Sequence, residues 1–215
     1  MATVDEFPAS GALNAPRLLS SADLPEIVSV FSDAFRDYPV MRHVLGTGEP
    51  YDRRLDRLVE LFVSGRAYRH EPMLGIRDAT GRLVAAATLT LPAIQDPPAA
   101  FVALRESIWA ELGAAARETY EAFIAATQHF PLASPHYHLN MIGVRRSHQG
   151  NGLARQLLEV VHAMSDASPE SSGVSLTTEL PGNVELYRHF GYILHGHAPV
   201  SADLETWVLF RPRSS

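Results

Sequence analysis

The sequence predicts an α/β domain built on a mixed sheet. Three observations carry that expectation. Apolar runs of strand length alternate with stretches whose apolar residues recur at helical spacing. Two of the runs, residues 73–76 and 83–89, flank Asp78-Ala79-Thr80-Gly81, a short turn signal that makes them antiparallel. A third run, residues 139–144, passes through a polar turn at 145–151 into a helical pattern at Leu153, Leu157, Leu158 and Val161.

In chain order, residues 1–15 read as a flexible leader and 16–215 as one domain. Arg17-Leu18-Leu19 suits a short first strand. Ser21 and Asp23 offer helix-start oxygens and Pro25 fits a first turn, ahead of Ile27, Val30, Phe31, Ala34 and Phe35 at helical spacing. That helix should stop by Tyr38-Pro39, because proline disfavours a helical residue before it. Residues 41–50 suit a loop or a short helix. Leu55, Leu58, Val59, Leu61 and Phe62 mark a second helix before the hairpin. The proline-rich stretch 92–98 is a connector. Phe101, Leu104, Ile108, Leu112, Ala115 and Phe123 then predict a long helical region with a break near Gly113. Beyond the helix after the polar turn, residues 174–178 suit a strand. Asn183 is a candidate N-cap for a short helix ending before Gly191. Residues 192–195 and 205–210 suit the last strands.

Composition narrows the chemistry. The chain has 215 residues and no cysteine, so disulfides, thiolate metal sites and cysteine nucleophiles are excluded. The lack of cysteine fits a cytoplasmic protein. A net charge of −6 argues against broad binding to a nucleic-acid backbone, though Arg145, Arg146 and Arg155 allow a local basic patch. No apolar run is long enough to span a bilayer, and the first residues lack the basic start and apolar core of a secretory signal. No nucleic-acid or membrane partner is therefore expected; the chain is expected to act as a monomer or homodimer.

The turn holds Gln149-Gly150-Asn151-Gly152-Leu153-Ala154. Two glycines alone say little. Their setting, between an apolar strand and an amphipathic helix, suits a phosphate held on the helix's unpaired N–H groups at the positive end of its dipole. No Gly-Lys-Ser/Thr comes next, so it is not a P-loop. Arg155 stands where a dinucleotide fingerprint needs its third glycine.

These residues, with Ile142-Gly143-Val144 before them, resemble the Gln/Arg-x-x-Gly-x-Gly/Ala acetyl-CoA motif of the GNAT superfamily of N-acetyltransferases. Residues 183–192, from Asn183 through Tyr187 to Gly191-Tyr192, resemble that family's Asn-x-x-x-Tyr-x-x-x-Gly-Phe/Tyr segment. Residues 136–192 are also similar to the puromycin N-acetyltransferase group. Residues 17–90 agree in element order only, and 91–135 resemble nothing informative.

The resemblance implies a mostly antiparallel central sheet flanked by helices, with two splayed central parallel strands. It implies acetyl-CoA as co-substrate and no metal. The pyrophosphate would lie on backbone N–H groups of Gln149, Gly150, Asn151, Gly152, Leu153 and Ala154. The pantetheine would pair with the strand edge at Ile142, Gly143 and Val144 like an added strand, with Asn183 also touching it. Tyr187 would protonate the leaving CoA thiolate. The resemblance does not identify the base. Glu179 comes after the strand at 174–178, two residues beyond Thr177, where relatives of the puromycin type carry a glutamate. It is a candidate general base, although a solvated loop carboxylate would look the same. His138 is a second candidate, expected with Asn140 on the strand face of Ile142 and Val144.

The leading expectation is thus an acetyl-CoA-dependent N-acetyltransferase acting on a primary amine of a small molecule. The alternatives are an acyl-CoA-binding or sensing module without turnover, and a nucleotide-dependent enzyme. The acceptor pocket is expected from residues 36–70 and 91–135. Tyr38, Tyr51, Trp109 and Tyr120 are candidates to line it, or are plain core. The pairs His136/His138 and His195/His197 alternate as strand metal ligands do, with no third ligand at a fixed spacing.

Overall fold

A computed structural model describes residues 15–48, 50–93, 96–132 and 134–214. Except for Ala15, the expected leader lies outside the described residues. Seven strands form one sheet: β1 (Arg17–Leu18), β2 (Met73–Arg77), β3 (Leu83–Thr90), β4 (Tyr137–Val144), β5 (Gly173–Thr178), β6 (Ile193–Ser201) and β7 (Leu204–Pro212), in the order β1-β2-β3-β4-β5-β7-β6. Every neighbouring pair is antiparallel except β4 with β5.

Five helices cover one face: α1 (Leu24–Ala34), α2 (Pro39–Leu45), α3 (Tyr51–Tyr68), α4 (Ala99–Leu112) and α5 (Ala114–Thr127). Their buried core includes Phe31, Leu58 and Ile108, with Met141 from the sheet. On the other face α6 (Leu153–Ala167) and α7 (Pro181–Arg188) pack Leu157, Leu158, Val161, Val184 and Tyr187 against Leu139, Val174 and Leu176. Burial of these apolar side chains, each about 1.5–3 kcal/mol relative to exposure, is what holds the two layers to the sheet.

Local chemistry explains most boundaries. Ser20, rather than Ser21, starts the first helical segment: its side chain accepts from Ala22 N–H, and the Asp23 carboxylate accepts from Ser20 N–H. α1 ends at Ala34, ahead of Tyr38-Pro39 as expected, and Pro39 opens α2 from the first helical position, where its missing N–H costs nothing. Gly113, at φ +91°, divides α4 from α5. The expected strand at 192–195 is longer than its apolar residues suggested: β6 runs to Ser201 as the outer arm of a hairpin with β7. Its exposed residues, interrupted by His195, Gly196, His197 and Pro199, suit an edge strand and break any apolar run after Leu194.

Two features of β4 shape the centre of the molecule. Its parallel pairing to β5 runs only through Tyr137–Val174, His138–Ser175 and Leu139–Leu176. From Asn140 onward the β5-facing edge of β4 is unpaired among the described residues, so the two central strands are splayed. Asn140 is also the extra residue of a bulge, because Leu89 partners Leu139 while Thr88 partners Met141. A bulge exchanges the faces on either side of it. Leu139, Ile142 and Val144 therefore face α6, whereas Met141 joins the core beneath α1 to α5. His138 consequently does not share a face with Ile142 and Val144, as strict alternation had implied. It looks toward α3, like its cross-strand partner Thr90.

Candidate active site

The splay opens into a cavity of about 630 Å³. Eleven of the twelve residues singled out from the sequence line it: Ile142, Gly143, Val144, Gln149, Gly150, Gly152, Leu153, Ala154, Glu179, Asn183 and Tyr187. Asn151 does not. Its amide instead donates to the carbonyls of His148 and Gln149 and braces the turn from outside.

The glycine turn has the shape its sequence suggests. Gly150 and Gly152 lie at φ +79° and +74°, a region that L side chains rarely adopt. Gly152 occupies the N-cap position of α6, and no side chain caps the helix there. The N–H groups of the first turn have no intrahelical partner, which suits an anion site. Gln149 points inward and donates to the carbonyl of Val144. Gly143 has a different reason to be glycine. A Cβ there would stand 2.9 Å from the Phe31 ring and 3.0 Å from the Ala34 Cβ. The position lets α1 lie against β4, so its edge offers a ligand backbone groups only.

The local basic patch that the sequence allowed does not form. Arg145 is buried, donating from Nε to the carbonyl of Leu83 and from Nη2 to the hydroxyl of Ser29. Arg146 is held by Asp33 of α1, whose carbonyl accepts from its Nε, and by the Asp37 carboxylate just beyond α1 at 2.6 Å. Arg155 stays at the turn, over the ring of Phe190.

Glu179 directly follows the last residue of β5, Thr178, beyond the point where the β4–β5 pairing ends. It is not a solvated loop carboxylate: it is 7 % exposed, and its Oε1 accepts a hydrogen bond of 2.9 Å from Thr206. Burial pushes the Glu179 carboxyl from its ordinary 4.5 up to about 7, against the stabilising effect of the Thr206 and Tyr38 hydroxyls. Tyr38 is held in turn by Thr178 Oγ1 at 3.0 Å and accepts from the backbone N–H of Glu179. The sequence raised Tyr38 only as a possible pocket aromatic. Its place beside Glu179 depends on a contact across about 140 residues that no local pattern records.

Tyr187 sits on α7, buried, with its ring edge-on to Tyr192 at 5.5 Å. Burial and the nearby Glu179 carboxylate push its phenol up to about 12, so it carries its proton at neutral pH. Asn183 is not the N-cap of α7, which begins at Pro181 after Leu180. Pro181 supplies the helix start, and Asn183 lies in the first turn, donating 3.0 Å to Thr178 Oγ1. The same Thr178 hydroxyl therefore ties Tyr38, Asn183 and the end of β5 together.

His138 also faces the cavity, with Nδ1 2.8 Å from Ser175 Oγ. Burial drives its imidazole down to about 4, which leaves it neutral at pH 7. The other histidines scatter: His136 Nδ1 meets the Ser134 carbonyl, His195 the Pro131 carbonyl, and His197 stacks on Trp207. Among the described residues no cluster of three His, Cys, Asp or Glu side chains could hold a metal ion. Likewise, among them no helix is long and apolar enough to cross a membrane.

The far end of the cavity comes from α2, α3 and α5, the stretches that carried no motif. Val40, Val44, Leu58, Phe62, Phe123 and Ile124 form most of its wall. Of the four aromatics considered, Tyr38 and Tyr120 line the cavity. Tyr51 is core, donating to the Arg36 carbonyl, and Trp109 backs Tyr120 at 5.4 Å.

A sheet that splays between its two parallel strands, with a glycine turn and helix start at the opening, defines a class of proteins. Residues 100–194 match the family model of the acetyltransferase (GNAT) domain. The whole fold agrees with solved acetyltransferases. A Corynebacterium glutamicum structure described as histone acetyltransferase HPA2 and related acetyltransferase is 22% identical, covering 94% of this chain and 97% of that one, at a TM-score of 0.66. The ribosomal-protein-S18-alanine N-acetyltransferase of Escherichia coli is 15% identical over 94% and 95%, at 0.55. A mosquito arylalkylamine N-acetyltransferase like 5b is 11% identical over 92% and 99%, at 0.54. At such identities the likeness is one of fold. The family match and the fold support acyl transfer from acetyl-CoA.

Proposed function

We propose that this protein transfers the acetyl group of acetyl-CoA to the primary amine of a small molecule. The observation that carries the proposal is the pairing, in one cavity, of a buried carboxyl held near pH 7 with a phenol held protonated. A module that only bound acyl-CoA would need the glycine turn and neither of these groups.

The residues present fit the co-substrate. The uncapped start of α6 and the backbone of residues 149–154 suit its pyrophosphate. The free edge of β4 at Ile142, Gly143 and Val144 suits the amide-bearing pantetheine arm, with Asn183 beside it. When bound, acetyl-CoA supplies the acyl carbon and a thiolate leaving group. Glu179 takes a proton from the acceptor's ammonium, directly or through one water, which frees the nitrogen lone pair. The nitrogen forms a C–N bond to the acetyl carbon, and a backbone N–H of the open β4 edge would suit stabilisation of the oxyanion. The C–S bond then breaks, and Tyr187 gives its proton to the departing sulfur. The nitrogen sheds its second proton as the amide forms, which offsets through water the proton Tyr187 gave up, and Glu179 returns the proton it took to solvent. A carboxyl near 7 is matched to this duty, because it is substantially ionised at neutral pH yet still basic.

The test is thiol release from acetyl-CoA in the presence of primary amines, with acetyl-CoA binding measured by calorimetry on the same sample. Amine-dependent release supports the proposal. Binding without release for any amine leaves a sensing module as the correct reading.

A further inference from the structure

The acceptor end of the cavity differs in charge from the chain as a whole. The chain carries a net −6, which would suit a polycationic acceptor. Yet among the described residues that line the cavity Glu179 is the one carboxylate, and it stands at the junction with the donor end. Beyond it the wall is aliphatic and aromatic: Val44, Leu58, Phe62, Phe123 and Ile124. Phe62 and Tyr120 lie 5.3 Å apart with tilted rings, and Tyr120 meets Phe123 at 6.4 Å, so three aromatic rings adjoin on one side.

Among the described residues, the fixed charge on that wall is positive. Arg66, in the last turn of α3, turns its guanidinium toward the bulge in β4. Its Nη1 donates to Thr90 and, at 3.2 Å, to Asn140 Oδ1, and it lies 3.0 Å from Glu71 Oε2. Glu71 is sealed behind Arg66 and does not line the cavity. A ligand in the cavity therefore meets the cation first and its counter-ion second.

We infer that the acceptor is a primary monoamine with an apolar, aryl or alkyl body, and that Arg66 with its apolar surround excludes amines carrying a second cation at the far end. This rests on the acetyl-transfer reading above and names the substrate class for it. A single ammonium is met by Glu179 and is neutralised before reaction. A second one at the far end of the same molecule would have to shed its water against aliphatic side chains and beside a guanidinium, with no carboxylate among the described lining residues there to receive it.

The experiment compares hexylamine, 2-phenylethylamine and 1,6-diaminohexane in the thiol-release assay, with the parent protein and the double variant Arg66→Gln/Glu71→Gln. The double change removes cation and counter-ion together, so no lone charge is left buried. Thermal melting confirms that it folds. With the parent, both monoamines should exceed the diamine in kcat/KM by at least about tenfold. The double variant should narrow that ratio by several-fold, through the KM of the diamine. Equal or better use of the diamine by the parent overturns the inference, as does release confined to aminoglycosides or peptide N-termini; acetyl transfer itself would survive either result. A ratio unmoved in the double variant overturns the role of Arg66. Failure to bind acetyl-CoA in calorimetry is the separate result that overturns the acetyl-transfer reading.

Discussion

The two ends of the cavity are built on opposite plans. The donor end is made largely of backbone from one continuous stretch: the edge of β4, the glycine turn and the start of α6, residues 142–154. The acceptor end is made of side chains from three helices that are distant in sequence, α2, α3 and α5. Backbone recognition constrains residue type sharply, since only glycine accepts the φ of Gly150 and Gly152 without strain. A wall of apolar side chains constrains only size and polarity, and Val, Leu, Ile and Phe serve almost interchangeably. On the proposed reading, one end suits a fixed co-substrate, while the other is free to change its ligand.

Substitutions at the two ends should separate accordingly, and those at the junction should affect chemistry alone. The largest effect is expected at the junction. Glu179→Gln should lower kcat by about 10²–10⁴, the usual worth of a positioned general base, with acetyl-CoA affinity unchanged in calorimetry. Tyr187→Phe should lower kcat by about 10², again with little change in acetyl-CoA affinity, because it removes one hydroxyl that acts on the leaving sulfur. Unchanged turnover in Tyr187→Phe would remove it as the acid.

At the donor end, Gly152→Val should weaken acetyl-CoA binding by about tenfold, as a β-branched residue is forced into the left-handed region or the turn re-forms around it. Among the described residues no atom lies within 4 Å of the added Cβ, so the protein should stay folded while the ligand loses its cradle. Calorimetry showing equal affinity would remove the turn as the pyrophosphate site. At the acceptor end, Ile124→Ala should raise the amine KM several-fold and leave acetyl-CoA affinity alone. If both affinities move together, the cavity does not divide into two ends.

The smallest effects concern stability and pH. His138 and His162 are both held at about 4 by burial, below the ordinary 6.5. Folding favours their neutral forms, so their contribution is complete above pH 6.5 and is lost as pH falls through 4. Glu179 has the opposite sign. Its carboxyl is raised from 4.5 to about 7, so its contribution is complete below 4.5 and is lost as pH rises through 7. Calorimetric melting should therefore show Glu179→Gln gaining on the parent between about pH 4.5 and 8, and the parent itself losing stability between about pH 6.5 and 4.

Legibility in the sequence divides along the same line. The strand, the turn and α6 could be placed because their residues are consecutive and their constraints are strict. The break at Gly113 and the hairpin between β2 and β3 were legible for the same reason. The β4 bulge was not. Asn140 interrupts alternation by one residue, which reverses the face of His138, and nothing in the run His138-Leu139-Asn140-Met141 announces it. The burial of Glu179 was also hidden, because it depends on Thr206 and Tyr38, which reach it from β7 and from the link between α1 and α2. Arg145 and Arg146 looked like a basic patch because sequence shows charge and not partners. Ser29, Asp33 and Asp37, which claim them, lie more than a hundred residues earlier.

The role of Glu179 as the base is tested most directly by the pH dependence of kcat/KM. The acceptor should be an apolar monoamine whose own pKa lies well away from 7. For the parent protein, kcat/KM should rise with pH and level off above about 7, following the ionisation of Glu179. In Glu179→Gln that rise should disappear along with most of the activity. The same rise about pH 7 in both proteins would contradict this role and assign the proton transfer to another group.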